Sequence, residues 1–128
     1  MKDGKKVILC VDDDNDILDS LKIILEKSNY TVYTACSAES GLRKYKEVCP
    51  DAVIVDLMME EVDSGLHLTK ELKFIGNNAP VFMLSSSGDN LHETTDYNEL
   101  GLSGVLQKPI TPEHLIKLLK SKFHDVSH

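Results

Sequence analysis

The chain has 128 residues, 41% of them hydrophobic and 27% charged, with a net charge of −7. That length argues for one domain with a core large enough to need no staples. No apolar run reaches the roughly 18–20 residues of a membrane span. The apolar stretch after the basic start stops at Val11 and meets three aspartates, which excludes a signal peptide. The acidic balance speaks against direct nucleic-acid binding, despite Lys117, Lys120 and Lys122 near the end. Three cysteines, at 10, 36 and 49, form no C-x-x-C pair. They suit a reducing, cytoplasmic setting rather than a disulfide framework, with Cys10 a small buried hydrophobe.

Short apolar runs recur at Val7 to Val11, Thr31 to Cys36, Ala52 to Val55, Val81 to Leu84 and Val105 to Leu106. Runs that do not alternate with polar residues predict strands buried on both faces. Helical stripes lie between them. The first is Ile17, Leu18, Leu21, Ile24 and Leu25, capped by Asp14 or Asn15. Ser37 predicts the cap of a second helix, with Leu42, Tyr45 and Val48 or Cys49 inward. Leu68, Leu72 and Ile75 mark a third, ended by Gly76-Asn77-Asn78. A fourth spans about 91–100, through the mediocre helix formers Thr94, Thr95 and Asn98. The last opens at Thr111 with Pro112 in its first position and carries Leu115, Ile116, Leu118, Leu119 and Phe123. Five β-α units in succession predict an α/β fold, an open, doubly wound sheet of five parallel strands.

Ligands of such sheets bind beyond the carboxyl ends of the strands. The polar residues there are Asp12 and Asp13 after the first run, Asp56 after the third, Ser85, Ser86 and Ser87 after the fourth, and Lys108 before Pro109 after the fifth. Converging carboxylates repel one another, and a hard divalent cation such as Mg²⁺ resolves the conflict. The absence of His or Cys at these strand ends disfavours zinc. Asp56, at the foot of a fully apolar strand, is placed to attack phosphorus and form an acyl phosphate. Lys108 offers a cation and Ser85 a hydrogen bond to the phosphoryl oxygens, while the small Ser86 leaves the approach open. Each piece alone has a plainer explanation as a cap, a solvated turn or a polar loop. The five histidines form no ligand-like group, and Met58 and Met59 can serve as plugs on the core.

Four segments carry a resemblance: Val7-Ile8-Leu9-Cys10-Val11-Asp12-Asp13-Asp14, Pro50 to Met59, Pro80 to Ser86, and Gly104-Val105-Leu106-Gln107-Lys108-Pro109. Together they resemble the receiver domain of two-component response regulators, over about residues 5 to 123. The resemblance implies a flavodoxin-like (βα)5 fold, one receiver domain over residues 1–128 and no output domain. It implies that Asp56 accepts a phosphoryl group from a sensor histidine kinase or a histidine phosphotransfer protein. Asp12, Asp13, Asp56 and the backbone carbonyl of Met58 would bind Mg²⁺, and Ser85 and Lys108 would hold the phosphoryl oxygens. The Lys108-Pro109 bond is a candidate for the cis form. Output would pass to a downstream effector protein or a removed output domain, or through a homodimer on the face of the fourth helix, fifth strand and fifth helix. It implies no enzyme activity beyond the domain's own phosphorylation and dephosphorylation, no direct nucleic-acid or membrane contact, and a cytoplasmic location.

The chain departs from the family pattern in three places. Glu60 stands where proline is usual, Ser64 where glycine is usual, and Val105 where the fifth strand usually carries Tyr or Phe. Two alternatives use the same residues differently. A phosphatase of the haloacid dehalogenase type would use the Asp-x-Asp of Asp12 and Asp14. A pseudo-receiver would bind partners without being phosphorylated.

Overall fold

The computed structural model describes residues 6–56, 64–85, 104–107 and 111–124. Five strands form one parallel sheet: β1 (Val7–Val11), β2 (Thr31–Ala35), β3 (Ala52–Asp56), β4 (Val81–Ser85) and β5 (Gly104–Gln107). Their spatial order is β2-β1-β3-β4-β5. The described helices are α1 (Asn15–Lys27), α2 (Ala38–Val48), α3 (Ser64–Phe74) and α4 (Pro112–His124), the last being the fifth helical segment of the sequence pattern. The fourth, over 91–100, lies outside the described residues, as do Met58, Met59, Glu60, Ser86, Ser87, Lys108 and Pro109.

Two-residue alternation in the strands divides the core into two layers. Ile8, Cys10, Ala52, Ile54, Phe82, Leu84 and Leu106 face α1 and α4, against Leu18, Leu21, Leu25, Leu115 and Leu119. Leu9, Val11, Val53, Val55, Val81 and Met83 face α2 and α3, against Leu68, Leu72, Leu42 and Tyr45. Both faces of the sheet are therefore covered, as the unbroken apolar runs require. β3 is central and every residue in it is buried.

β2 departs from the expected two-sided burial. Tyr33 and Thr34 are exposed because β2 is the sheet's edge strand. The Lys44 ammonium lies 5.8 Å from the Tyr33 ring centroid and caps that aromatic face.

The helix caps follow the sequence signals. Asp14 is the N-cap of α1 and Ser37 that of α2. The Thr111 hydroxyl accepts from the His114 amide at 3.4 Å at the start of α4. α1 and α3 end in the same way. The Tyr30 amide donates to the Leu25 carbonyl and the Asn29 amide to the Glu26 carbonyl, both at 3.1 Å. The Asn77 amide donates to Leu72 at 3.0 Å and Gly76 to Lys73 at 3.1 Å. These are Schellman endings, which need a left-handed residue. Asn29 supplies φ 71° and Gly76 φ 86°.

One inward assignment is corrected, and one open choice is decided. Ile75 lies past the end of α3 and is 42% exposed. Of Val48 and Cys49, only Val48 is half-buried; Cys49 is exposed and ends α2 in the left-handed conformation at φ 50°.

Candidate functional site

The strand order reverses between β1 and β3. From β1 the chain moves outward to β2, then returns past β1 to β3, β4 and β5. That reversal opens a crevice at the carboxyl ends of β1 and β3. The register pairs Val11 with Val55, so the residues that follow, Asp12 and Asp56, stand side by side at the crevice. Both continue the alternation of their strands: Asp12 follows Ile8 and Cys10, and Asp56 follows Ala52 and Ile54.

Asp12 is fully buried and Asp56 is 4% exposed, whereas Asp13 is exposed. The Asp12 amide donates to the Ala35 carbonyl at 3.1 Å, which ties the turn to β2. The Asp12 Oδ1 accepts from the Asp14 amide at 2.9 Å. The Asp14 Oδ1 in turn accepts from the Asp16 amide at 2.9 Å.

Asp12, Asp13 and Asp56 each offer a carboxylate oxygen within 4.8 Å of the others'. Two buried charges at that separation repel by about 3–4 kcal/mol at an effective dielectric of about 20. The set contains no imidazole or thiol, and such all-oxygen groups suit a hard divalent cation. The donor chemistry therefore fits a metal ion held between β1 and β3. The field is also felt below the site. Burial first, and the nearby Asp12 carboxylate second, push the Cys10 thiol up to about 12.

Ser85 ends β4, one strand further along, where Leu84 pairs with Asp56. It pairs in turn with Gln107, the residue before Lys108. The predicted site residues with described side chains, Asp12, Asp13 and Asp56, thus come together. The described backbone brings Ser85 to the same end of the sheet. Lys108 and the Met58 carbonyl lie outside the described residues. Asp14, read from the sequence only as a cap, also holds the Asp12 carboxylate through its amide. The signal for that turn is Asp12 itself, since an aspartate side chain readily accepts from the backbone amide two residues on. Cys36 and Cys49 are free and exposed, and His114 is exposed.

The model of the response regulator receiver domain matches residues 8–120. The chain is 31% identical over 116 residues to the alkaline phosphatase synthesis transcriptional regulatory protein PhoP of Bacillus subtilis, covering 91% of this chain and 48% of that protein. It is 32% identical over 114 residues to the transcriptional regulatory protein PrrA of Mycobacterium leprae, covering 89% and 48%. Among solved structures, a CheY-like receiver domain protein from Methanospirillum hungatei superposes with a TM-score of 0.86 at 28% identity, covering 95% of this chain and 96% of that one. A receiver domain from Clostridium thermocellum gives 0.84 at 31% identity, covering 95% and 97%. This chain belongs to the response regulator receiver domains of two-component systems, with their flavodoxin-like fold. It spans about half the length of the curated relatives it matches. Among the described residues, no helix is long and apolar enough to cross a membrane.

Proposed function

We propose that Asp56 is the phosphoacceptor of a Mg²⁺-dependent switch. The observation that carries this role is the gathering of the Asp12, Asp13 and Asp56 oxygens within 4.8 Å, with Asp56 at the end of the fully buried central strand. A carboxylate oxygen of Asp56 attacks the phosphorus of a phosphohistidine on a sensor histidine kinase or a histidine phosphotransfer protein. The P–N bond breaks, its electron pair stays on the imidazole nitrogen, and that nitrogen takes up a proton. The product is an acyl phosphate on Asp56.

Asp12, Asp13, Asp56 and the Met58 carbonyl would hold Mg²⁺. When bound, it neutralises the carboxylates and the charge on the transferring phosphoryl group. Ser85 donates a hydrogen bond to one phosphoryl oxygen, and the Lys108 ammonium pairs with another. The burial of Asp12 and Asp56 limits water at the nucleophile. The chain acts in the cytoplasm as a receiver domain and catalyses only its own phosphorylation and dephosphorylation. Its output passes to an effector protein or an output domain. The face that carries it is built from the predicted fourth helical segment, β5 and α4, and a homodimer can form there.

The test is labelling with a small phosphodonor and Mg²⁺, read by intact mass. Wild type should gain one phosphoryl group, Asp56→Asn none, and Asp12→Asn a slower gain at Asp56. Label lost with Asp12→Asn but kept with Asp56→Asn would instead identify a phosphatase-like nucleophile. No label on wild type would mark a pseudo-receiver.

A further inference from the structure

The Asp12 carboxylate is the most buried of the three, and a short turn holds one of its oxygens. Its Oδ1 accepts from the Asp14 amide at 2.9 Å. That amide belongs to the N-cap residue of α1, whose backbone is extended at φ −98° and ψ 109°. Three further bonds fix this geometry. The Asp14 side chain accepts from the Asp16 amide at 2.9 Å, the Asp14 carbonyl accepts from Leu18 at 3.1 Å, and the Asp12 amide is tied to Ala35 at 3.1 Å. Leu18 is buried against the sheet, so the cap is anchored in the core. The chain of contacts runs from packed helix to cap, from cap to amide, and from amide to carboxylate oxygen.

We infer that Asp14, exposed and outside the acidic triad, is a positioning residue for the cation site: by capping α1 it holds the amide that fixes the Asp12 carboxylate. This rests on the assignment of the triad as a Mg²⁺ site. A carboxylate bound on one oxygen before the cation arrives loses less freedom on binding. Loss of a group that orients a metal ligand typically weakens metal affinity about 10–100-fold. Asp14 acts through its side-chain oxygen as a hydrogen-bond acceptor rather than through its charge. Asn, which caps equally well, should therefore replace it, and Ala should not.

Calorimetric Mg²⁺ titration of the full chain separates the outcomes. Wild type should bind; if it does not, the metal assignment itself fails. Asp14→Ala should weaken Mg²⁺ about 10-fold, the low end for loss of a ligand-orienting group. Asp14→Asn should stay within about twofold of wild type, because the cap is kept. Equal affinity in Asp14→Ala and wild type overturns the proposal. So does an equal loss in both variants, which would mean that the charge of Asp14 acts and not its cap. Amide exchange on wild type and Asp14→Asn provides a check that does not depend on the Ala variant. The Asp14 amide should be protected without Mg²⁺ in both, and fast exchange there in the apo proteins would equally overturn it.

Discussion

The two ends of the sheet treat aspartate in opposite ways, and β3 carries one at each end. Asp51, before the strand, is bound on both its backbone and its side chain. Its amide donates to the Val7 carbonyl at 2.7 Å, and its Oδ2 accepts from the Val7 amide at 2.7 Å. Asp56, five residues on, lies with Asp12 and Asp13 in a group of like charges. The α-to-β connections at the amino end also hold all three described positive-φ residues, Asn29, Cys49 and Gly76. There the polar groups end helices and start strands. At the carboxyl end they leave carboxylate oxygens gathered for a ligand. The difference teaches that a strand-end carboxylate is recognised as functional by the charges around it, not by its place beside an apolar run.

The largest expected effect comes from Cys10, which lies beneath the carboxyl-end charges. Its thiol is held up to about 12 against an ordinary 9.0, by burial and then by Asp12. Above pH 9.0 the unfolded chain loses this proton while the folded chain keeps it. Stability is therefore intact below 9.0 and falls as pH rises toward about 12, by up to about 1.4 kcal/mol per pH unit. Denaturation of wild type and Cys10→Ala across this range isolates the effect from other titrating groups. The stability advantage of wild type should shrink or reverse with pH, and parallel curves would sink the account. Asp12→Asn should lower the Cys10 pKa only modestly, since the carboxylate is the smaller cause.

A direct contrast between the two ends follows from removing each aspartate of β3. Asp51→Ala removes a charge-assisted acceptor from the Val7 amide and should cost about 1.5–3 kcal/mol. Mg²⁺ affinity should be unchanged. Asp56→Asn has nearly the same shape but relieves repulsion, so the apo protein should gain about 1–4 kcal/mol, the range of one pair interaction between water-like screening and an effective dielectric of about 20. Saturating Mg²⁺ should erase that gain, because only wild type is strongly stabilised by binding. Urea denaturation with and without Mg²⁺ measures both. The same sign for the two variants without metal would erase the distinction between the ends.

Much of this was legible before the fold was in hand. The runs from Val7, Ala52 and Val81 became strands because five or so apolar residues can be buried on both faces only within a covered parallel sheet. Asp14, Ser37 and Thr111 became caps because their side-chain oxygens satisfy free amides of the first turn. The acidic site was legible because the β-α order brings three carboxylates, Asp12, Asp13 and Asp56, to one end of the sheet, where their charges meet. Strand order was not: β2 reads as a core strand, yet lies at the edge with Tyr33 exposed. Ile75 continues the apolar spacing of α3, but the turn at Gly76 stops the helix first. Nor does the sequence separate Asp51 from a solvated turn residue, since its partner Val7 is 44 positions away.

The smallest effect belongs to the amino-end turns. Asn29 ends α1 at φ 71°, between the buried Leu25 and Tyr30. Its backbone cannot relax toward negative φ without breaking the bonds from Asn29 to Glu26 and from Tyr30 to Leu25. Asn tolerates the left-handed region because its short polar side chain can hydrogen-bond locally, while Ala meets the full clash of its Cβ. Asn29→Ala should therefore cost about 1 kcal/mol. Asn29→Gly should be near neutral or slightly stabilising, because the ease of positive φ offsets the greater freedom of the unfolded chain. Neither should alter Mg²⁺ affinity, because this turn sits at the opposite end of the sheet from Asp12. Thermal melts rank the two variants, and Mg²⁺ titration checks the separation. A change in affinity with Asn29→Ala would show that α1 transmits strain along its length to the Asp14 cap, and that the two ends are coupled rather than independent.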